Sequence, residues 1–253
     1  MISIKNKVSI MKMETAGKLL ANLFEEIKEF IKPGISTADI DRWVVAGLRQ
    51  RGLVSKTDGY MGYRHSSCIS VNDEVVHGVP STRRILKDGD LVKIDICASW
   101  KGYCADMARC FLIGKASEQS NIIKMVDVAT QALFAGVAQA IVGNRLSDIS
   151  AAIQQVVERE GFGVVRDFAG HGIGKSMHEE PEILNYGEPG RGPILRAGMT
   201  FAIEPMITEG RYPVYVDSDG WTVKTVDKSW AAHVEDTILI TDNGPVFLTR
   251  QQN

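Results

Sequence analysis

The sequence predicts an α+β fold in which helices back a mostly antiparallel sheet, and an internal repeat is the main observation behind this prediction. Residues 34–52 resemble residues 143–161, and residues 86–95 resemble residues 195–204, both at an offset of 109 positions. Each copy has the pattern of a helix, a glycine turn, a second helix and a strand. Identities are few, so chance similarity is the alternative for either block alone.

The shared offset predicts one catalytic domain, residues 1–253, made of two similar halves. The halves cover approximately residues 14–113 and 122–245. A length of 253 residues fits either one large domain or two small ones. The repeat favours the single domain, with its functional site where the halves meet.

Matching polar and glycine residues predict the helix boundaries in the two copies. The first helix ends at a glycine turn, and the second begins at an N-cap and ends at a glycine. These turns, caps and ends are Gly34, Ser36/Thr37 and Gly52 in the first copy, and Gly143, Ser147/Asp148 and Gly161 in the second.

A strand follows the helices in each copy, at residues 91–96 and 200–203. The offset of 109 pairs Asp95 with Glu204 near the ends of these strands. A twofold relation between the halves brings equivalent strand ends together at the middle. We therefore expect the carboxylates of Asp95 and Glu204 to share one site.

A second carboxylate follows Asp95 within a predicted hairpin of strands 90–98 and 103–113. A two-residue turn centred on Trp100-Lys101 makes Asp95 and Asp106 direct cross-strand neighbours, with Cβ atoms about 5 Å apart. A turn one residue later makes them diagonal, but both stay on one face. No lysine or arginine lies between them on that face. A divalent cation site is therefore the sharper interpretation, and a solvated surface hairpin is the alternative.

A histidine between two glycines offers a nitrogen ligand for the predicted cation site. His171 lies between Gly170 and Gly172, and glycine removes side chains where the backbone approaches another group closely. His171 and His178 are seven positions apart, which excludes the H-E-x-x-H zinc helix. We interpret His171 as a candidate ligand, with a packed core histidine as the alternative.

The stretch 169–176 also fits a relaxed phosphate-binding loop, so an NTPase is an alternative of another class. The helix that should begin at Lys175 meets Glu179, Glu180 and Pro181 within two turns. Acids beside a triphosphate are unfavourable, and the sequence offers no parallel βαβ series. The NTPase interpretation is therefore much weaker than the metal site.

Composition excludes further classes of function. The chain has 29 Lys+Arg against 31 Asp+Glu, so it offers no polycation for DNA or an anionic membrane. The N-terminus has no signal-peptide pattern, and the longest apolar stretch, 129–142, is interrupted by Gln131 and Gln139. The cysteines form no CxxC pair, which predicts no disulfide framework and a cytoplasmic location. They are Cys68, Cys97, Cys104 and Cys110.

Five stretches resemble, in order, the motifs of type I methionine aminopeptidases. The most specific is Phe168-Ala-Gly-His171-Gly-Ile-Gly-Lys-Ser-Met-His178-Glu-Glu-Pro. The others are residues 71–80, 86–95, 198–206 and 235–244. The resemblance covers nearly the whole chain and implies the pseudo-twofold "pita-bread" fold. It also implies a metalloexopeptidase that removes the N-terminal methionine from nascent proteins and peptides with a small second residue.

The same resemblance implies a metal site and a mechanism. The implied ligands of two divalent ions (Co, Mn, Fe or Zn) are Asp95, Asp106, His171, Glu204 and Glu235. A hydroxide between the ions attacks the peptide carbonyl, and Glu204 relays its proton. His178 contacts the carbonyl oxygen and His77 the substrate backbone. The free α-amine is expected on the Asp95 side.

The resemblance also implies a pocket for the methionine side chain. Its positions correspond to Tyr60, Tyr63, Cys68, Met177 and Trp221. The family often has an aromatic residue in place of Met177 and a histidine in place of Met61. These departures bear on side-chain preference and rate, not on the reaction.

The implied partners are N-terminal peptides, with no DNA and no membrane, and the chain is expected to act as a monomer. Recruitment by a ribosome is left open by the sequence. The main alternative is a same-fold peptidase of X-Pro specificity. Such enzymes usually carry a separate N-terminal domain, which 253 residues are too few to contain.

Overall fold

The computed structural model describes residues 2–114 and 120–250. The predicted domain 1–253 therefore extends beyond the described residues at 1, 115–119 and 251–253. Within the described ranges the helices are α1 (Lys7–Phe30), α2 (Thr37–Gln50), α3 (Ser120–Ala138) and α4 (Leu146–Arg159), with a short 3₁₀ turn at Tyr60–Gly62. Helix α1 thus begins seven residues before the predicted start of the first half.

The strands of the first half are β1 (Val54–Ser55), β2 (Cys68–Val71), β3 (Leu91–Trp100) and β4 (Tyr103–Leu112). Those after α4 are β5 (Gly163–Val164), β6 (Gly170–Gly172), β7 (Glu179–Ile183), β8 (Thr200–Ile203), β9 (Met206–Thr208), β10 (Val214–Val216), β11 (Val223–Thr225), β12 (Ala231–His233), β13 (Glu235–Thr241) and β14 (Gly244–Phe247).

A nine-stranded sheet crosses both halves in the order β1-β3-β4-β13-β8-β6-β7, with β2 also paired to β3 and β14 to β13. The paired strands in it are antiparallel. Strands β12, β9 and β5 form a smaller sheet, and β10 and β11 a ribbon. The predicted α+β class is confirmed, and the contact between β4 and β13 joins the halves.

Main-chain contacts recur at the offset of 109. The Gly34 N–H donates to Leu86 O over 2.8 Å, and the Gly143 N–H donates to Leu195 O over 3.1 Å. Isolated bridges also recur, Ser36 with Ile85 and Arg145 with Ile194. This recurrence favours the predicted similarity of the halves, which we keep as a proposal.

Helices α2 and α4, the second helix of each half, have one N-terminal capping hydrogen bond in common. In α2 the Ser36 N–H donates to the Asp39 carboxylate over 2.9 Å, and in α4 the Arg145 N–H donates to Asp148 over 2.7 Å. The predicted N-cap Ser147/Asp148 is therefore wrong, because Arg145 holds that position. Asp148 at the third helical position accepts the bond that a capping box requires, without a small polar N-cap.

The β3–β4 hairpin turns at Lys101-Gly102, one residue later than the Trp100-Lys101 centre. Both turn residues have positive φ, 47° and 79°, as a type I′ turn needs, and glycine accommodates this at the second position. Asp95 therefore faces Ala108, and Asp106 faces Cys97. Asp95 and Asp106 are diagonal, as in the alternative register, and stay on one face.

Each half has its own hydrophobic core. Helix α1 packs on β3 and β4, and α2 packs on α1 and β1, around buried residues such as Leu20, Phe24 and Ile94. Helix α3 packs on β8 and β13, and α4 packs on α3, β5 and β7, around residues such as Leu133 and Phe201. The central strands are thus held from both halves.

Helix α3 is long and apolar enough to cross a membrane, with a mean hydropathy of 1.2 over Asn121–Ala138. Its inward residues Met125, Ala129 and Leu133 are fully buried in the core. A core helix of a soluble protein passes the same test, so this feature is weak evidence for a membrane span.

A buried aspartate fixes the seam between β4, β13 and the C-terminal segment. Asp236 is fully buried and accepts hydrogen bonds from Arg109 (2.6 Å), Arg250 (2.7 Å) and Thr249 (2.7 Å). Arg109 also donates to the main-chain oxygen of Glu235 over 2.5 Å. The ion pairs therefore position the backbone at Glu235.

We expect Asp236→Ala to lower the free energy of unfolding by about 3 kcal/mol, because it leaves two arginines without their buried partner. Urea denaturation measures this change. The exposed Asp242→Ala is the control and should shift stability by less than about 0.5 kcal/mol. Equal losses in both variants would show that the ion pairs do not stabilise the seam.

Candidate metal centre and substrate cavity

One cavity of about 290 Å³ lies at the meeting of the two halves. Every site residue predicted from the sequence lines it: Tyr60, Tyr63, Cys68, His77, Asp95, Asp106, His171, Met177, His178, Glu204, Trp221 and Glu235. The structure therefore brings the predicted metal ligands and the predicted pocket residues together. Val76, Phe168 and Met206 add apolar lining that the sequence did not single out.

Four carboxylates reach the cavity from neighbouring central strands. Asp95 lies on β3, Asp106 on β4, Glu235 at the start of β13, and Glu204 directly after β8. The Asp106 N–H donates to the Thr237 hydroxyl over 2.8 Å, and that hydroxyl donates to Asp106 O over 2.9 Å. These two bonds tie β4 to β13 beside the carboxylates.

His171 projects from β6 because its neighbours are glycines. A Cβ on Gly172 would lie 2.1 Å from the Glu180 main-chain oxygen, and one on Gly170 would lie 2.5 Å from that of Ala202. Neither position tolerates a side chain without backbone movement. The close approach expected from the flanking glycines is therefore present.

The orientation of His171 suits a ligand. Its Nδ1 lies 2.9 Å from the Gly172 main-chain oxygen, so Nδ1–H donates there and the Nε2 lone pair is free. Nε2 lies 3.6 Å from Glu204 Oε1 and 3.9 Å from Asp106 Oδ2. A backbone hydrogen bond at the far nitrogen is typical of metal-binding histidines.

Burial shifts the pKa values of the four carboxylates, which we call the carboxylate cluster, and of the adjacent His171. It raises the pKa of Asp106 to about 7, where the charge of Glu204 adds to the effect, and raises the pKa of Glu204 to about 8. The pKa values of Glu235 and Asp95 are also raised by burial and by neighbouring acids. Burial lowers the pKa of His171 to about 3, so its imidazole is neutral. A divalent cation would remove this penalty by balancing the carboxylate charge.

Two buried polar atoms in the cluster have no hydrogen-bond partner among the described residues: His233 Nε2 and Glu235 Oε1. Ligand atoms of Asp106, His171 and Glu235 lie within 4.8 Å of one another, as do those of Glu204, His233 and Glu235. The oxygen and imidazole donors fit divalent transition metals. Sequence reasoning missed His233, which ends β12 two residues before Glu235 begins β13.

Tyr63 and Trp221 form an aromatic wall of the cavity. Tyr63 is 2 % exposed, its hydroxyl donates to the main-chain oxygens of Ser67 and Gly78, and its ring lies 5.0 Å from that of Trp221. Burial raises the pKa of Tyr63 above its usual range. Cys68, the cross-strand neighbour of Asp95, and Met177 also line the cavity. An apolar side chain would fit between these groups.

His77, Tyr60 and His178 also line the cavity. The Tyr60 hydroxyl lies 2.8 Å from His178 Nδ1, and the His178 ring packs edge-on at 4.4 Å from His171. His77 has a φ of 58°, rare for a residue other than glycine, and its ring packs at 5.4 Å from Phe168. Strain of this kind is concentrated at functional sites.

Comparison with known proteins decides the family. The model of metallopeptidase family M24 matches residues 11–242.

The chain belongs to the M24 metallopeptidases. A methionine aminopeptidase of Clostridium acetobutylicum is 48 % identical to it over 249 residues, which cover 98 % of this chain and 99 % of the relative. The crystal structure of a methionine aminopeptidase from Thermotoga maritima superposes with a TM-score of 0.95 at 43 % identity, covering 99 % of this chain and 100 % of that one. The expected fold is thereby confirmed.

An X-Pro aminopeptidase from Thermotoga maritima is more distant. It has a TM-score of 0.76 at 20 % identity, and the match covers 98 % of this chain and 63 % of that one. This likeness shows a common fold alone. The phosphate-binding loop is excluded, because residues 170–172 and 179–183 of this M24 metallopeptidase form the paired strands β6 and β7.

We expect the affinity of this M24 metallopeptidase for Mn²⁺ to rise with pH up to about 8. Below the raised pKa values of Asp106 and Glu204, about 7 and about 8, their carboxyl groups hold protons that a cation must displace. Titration calorimetry in two buffers of different ionisation enthalpy measures the protons released. Glu204→Gln should release fewer, and an affinity that does not change with pH would refute this origin of the binding energy.

Proposed function

We propose that this chain removes the N-terminal methionine from nascent proteins and from peptides with a small second residue. One observation carries the proposal: the same cavity is lined by carboxylates and imidazoles and by aromatic and sulfur-containing side chains. Relatives named methionine aminopeptidase, 48 % and 41 % identical over nearly their full length, support the same activity.

The proposed cofactors are two divalent ions, Co, Mn, Fe or Zn, bound by five residues. The ligands are Asp95, Asp106, His171, Glu204 and Glu235. The unpartnered Glu235 Oε1 and the costly burial of four acids support this assignment. When bound, such ions polarise a peptide carbonyl and acidify water.

Glu204 is the proposed general base and acid. Its carboxylate lines the cavity in which the peptide is proposed to bind, as a group that exchanges protons with the substrate must. It accepts a proton from the attacking water while oxygen bonds to the carbonyl carbon. The C–N bond then breaks, and the leaving amine takes a proton from Glu204.

His178 and His77 are the proposed contacts to the substrate backbone. When the Tyr60 hydroxyl donates to His178 Nδ1, the proton of the ring is on Nε2, which can donate to the developing oxyanion. Burial lowers the pKa of His77 to about 4, so its imidazole is neutral beside the scissile amide. The free α-amine is placed on the Asp95 side.

The methionine side chain is proposed to lie against the aromatic wall. The pocket residues are Tyr60, Tyr63, Cys68, Met177 and Trp221. The cavity that they line, of about 290 Å³, has room for one such side chain. Met177 and the exposed Met61 are flexible, so they are expected to affect preference more than chemistry.

The proposed setting is the cytoplasm, with the chain acting as a monomer on N-terminal peptides. One chain supplies every proposed site residue, and its four cysteines are free thiols, as a reducing compartment favours. A ribosome that presents emerging chain ends is the candidate partner. No DNA and no membrane partner is proposed.

We expect Met-Ala-Ser cleavage to require an added divalent metal and to fall by at least about 100-fold in kcat/KM in His171→Ala and in Glu204→Gln. The first substitution removes a proposed ligand and the second a proposed proton carrier. Release of free methionine by metal-stripped, reloaded protein measures the effect.

Glu188→Gln, at an exposed glutamate outside the cavity, is the control and should keep full activity. Chelator-insensitive cleavage would refute the metal mechanism. A Leu-Pro-Ala peptide tests the X-Pro alternative, because its preferential cleavage over Met-Ala-Ser would replace the proposed specificity.

We expect Trp221→Ala to lower kcat/KM for methionyl peptides by roughly 10-fold or more, because it removes a large apolar contact to the side chain. Steady-state kinetics with Met-Ala-Ser measure this change. Tyr215→Ala, at an exposed aromatic outside the cavity, should have no effect. Equal rates for wild type and Trp221→Ala would remove Trp221 from the pocket.

A further inference from the structure

His233 places a second buried imidazole in the carboxylate cluster. Its side chain is 2 % exposed, and Nε2 has no hydrogen-bond partner among the described residues. Nε2 lies 3.4 Å from Glu204 Oε2, while His171 Nε2 lies 3.6 Å from Glu204 Oε1. The two oxygens of Glu204 thus each face one imidazole nitrogen.

The alternation of side chains along residues 232–235 explains why His233 points into the carboxylate cluster. Ala232 and Val234 belong to the hydrophobic core of the second half. His233 ends β12 and Glu235 begins β13, and along this extended segment the two side chains alternate with those of Ala232 and Val234. His233 is also held in register opposite Met206, which lines the cavity.

The distance from His233 to Glu204 fits shared ligation better than a hydrogen bond. A charge-assisted N–H···O bond is about 2.7–2.9 Å long. Two ligand atoms bound tetrahedrally to one ion at about 2.1 Å are roughly 3.4 Å apart. The distance between His233 Nε2 and Glu204 Oε2 is 3.4 Å, and ligand atoms of both residues and Glu235 lie within 4.8 Å of one another.

We propose that His233 Nε2 directly ligates a divalent ion together with Glu204 and Glu235. This residue lies outside the five ligands proposed above, and the inference rests on the proposed metal dependence of the chain. The other group of close ligand atoms belongs to Asp106, His171 and Glu235. Together the two groups supply one imidazole for each of two ions. Glu235 is common to both groups.

X-ray absorption at the Zn edge counts imidazoles per ion without relying on activity. In protein loaded with two Zn²⁺ per chain, we expect an average of one imidazole per ion. The average should fall to about half in His233→Gln, and equally in His171→Gln. His65→Gln removes a histidine that does not line the cavity and should leave the count unchanged.

Titration calorimetry with Mn²⁺ gives a second readout. His233→Gln should weaken one of two binding events by at least about 10-fold and leave the other unchanged. If His233→Gln does not fold, His233→Ala with added free imidazole replaces it, and imidazole should restore the lost affinity. Circular dichroism of each variant verifies the fold.

An average of half an imidazole per ion in the wild type, or an unchanged count in His233→Gln, would overturn direct ligation. An unchanged count with lower activity would make His233 a positioning residue for Glu204 instead. Wild-type protein that binds no divalent ion would refute the proposed function itself. Metal-dependent cleavage with no imidazole from His233 would refute only this inference.

Discussion

Burial of four carboxylates in one cavity is the constraint on which the rest of the structure depends. Desolvation raises the pKa values of Asp95, Asp106, Glu204 and Glu235. Repulsion from neighbouring acids adds to this effect at Asp95, Asp106 and Glu235. Among the described residues, no lysine or arginine lines the cavity to balance them. Neutral imidazoles cannot do so either, which leaves protons or bound cations. The carboxylate cluster is thus stable only when protons or cations are bound to it.

The scaffold holds these acids in place by tying the halves together along β4 and β13. Each half has a separate hydrophobic core, so neither core alone fixes the acids of the other half. The bonds of Thr237 to Asp106, and of Arg109 to Asp236 and to the Glu235 main chain, cross this seam. Polar contacts at the seam therefore set distances within the cluster, while apolar contacts stabilise the halves around it.

Features that follow from the alternation of side chains along a strand could be predicted from the sequence. Features that depend on which of several competing local hydrogen bonds forms could not. Asp95 and Asp106 share a face in either hairpin register, so an error of one residue in the turn did not matter. Arg145 took the N-cap because Asp148 accepts its N–H, a bond that residue propensities do not reveal. His233 was missed because a single histidine carries little signal until the strand beside it places it next to Glu235.

The ratio of imidazole to carboxylate bears on which metal the site prefers. Oxygen-only sites suit Mg²⁺, Ca²⁺ and Mn²⁺, whereas each imidazole favours Fe²⁺, Co²⁺ and Zn²⁺. With His171 alone, one ion would have a purely oxygen set and the other a mixed set. With His233 as well, both ions would have a mixed set and differ less in affinity. Since Glu204 faces both imidazoles, a proton on its carboxylate would compete with both ions, which couples proton transfer to the metal content of the site.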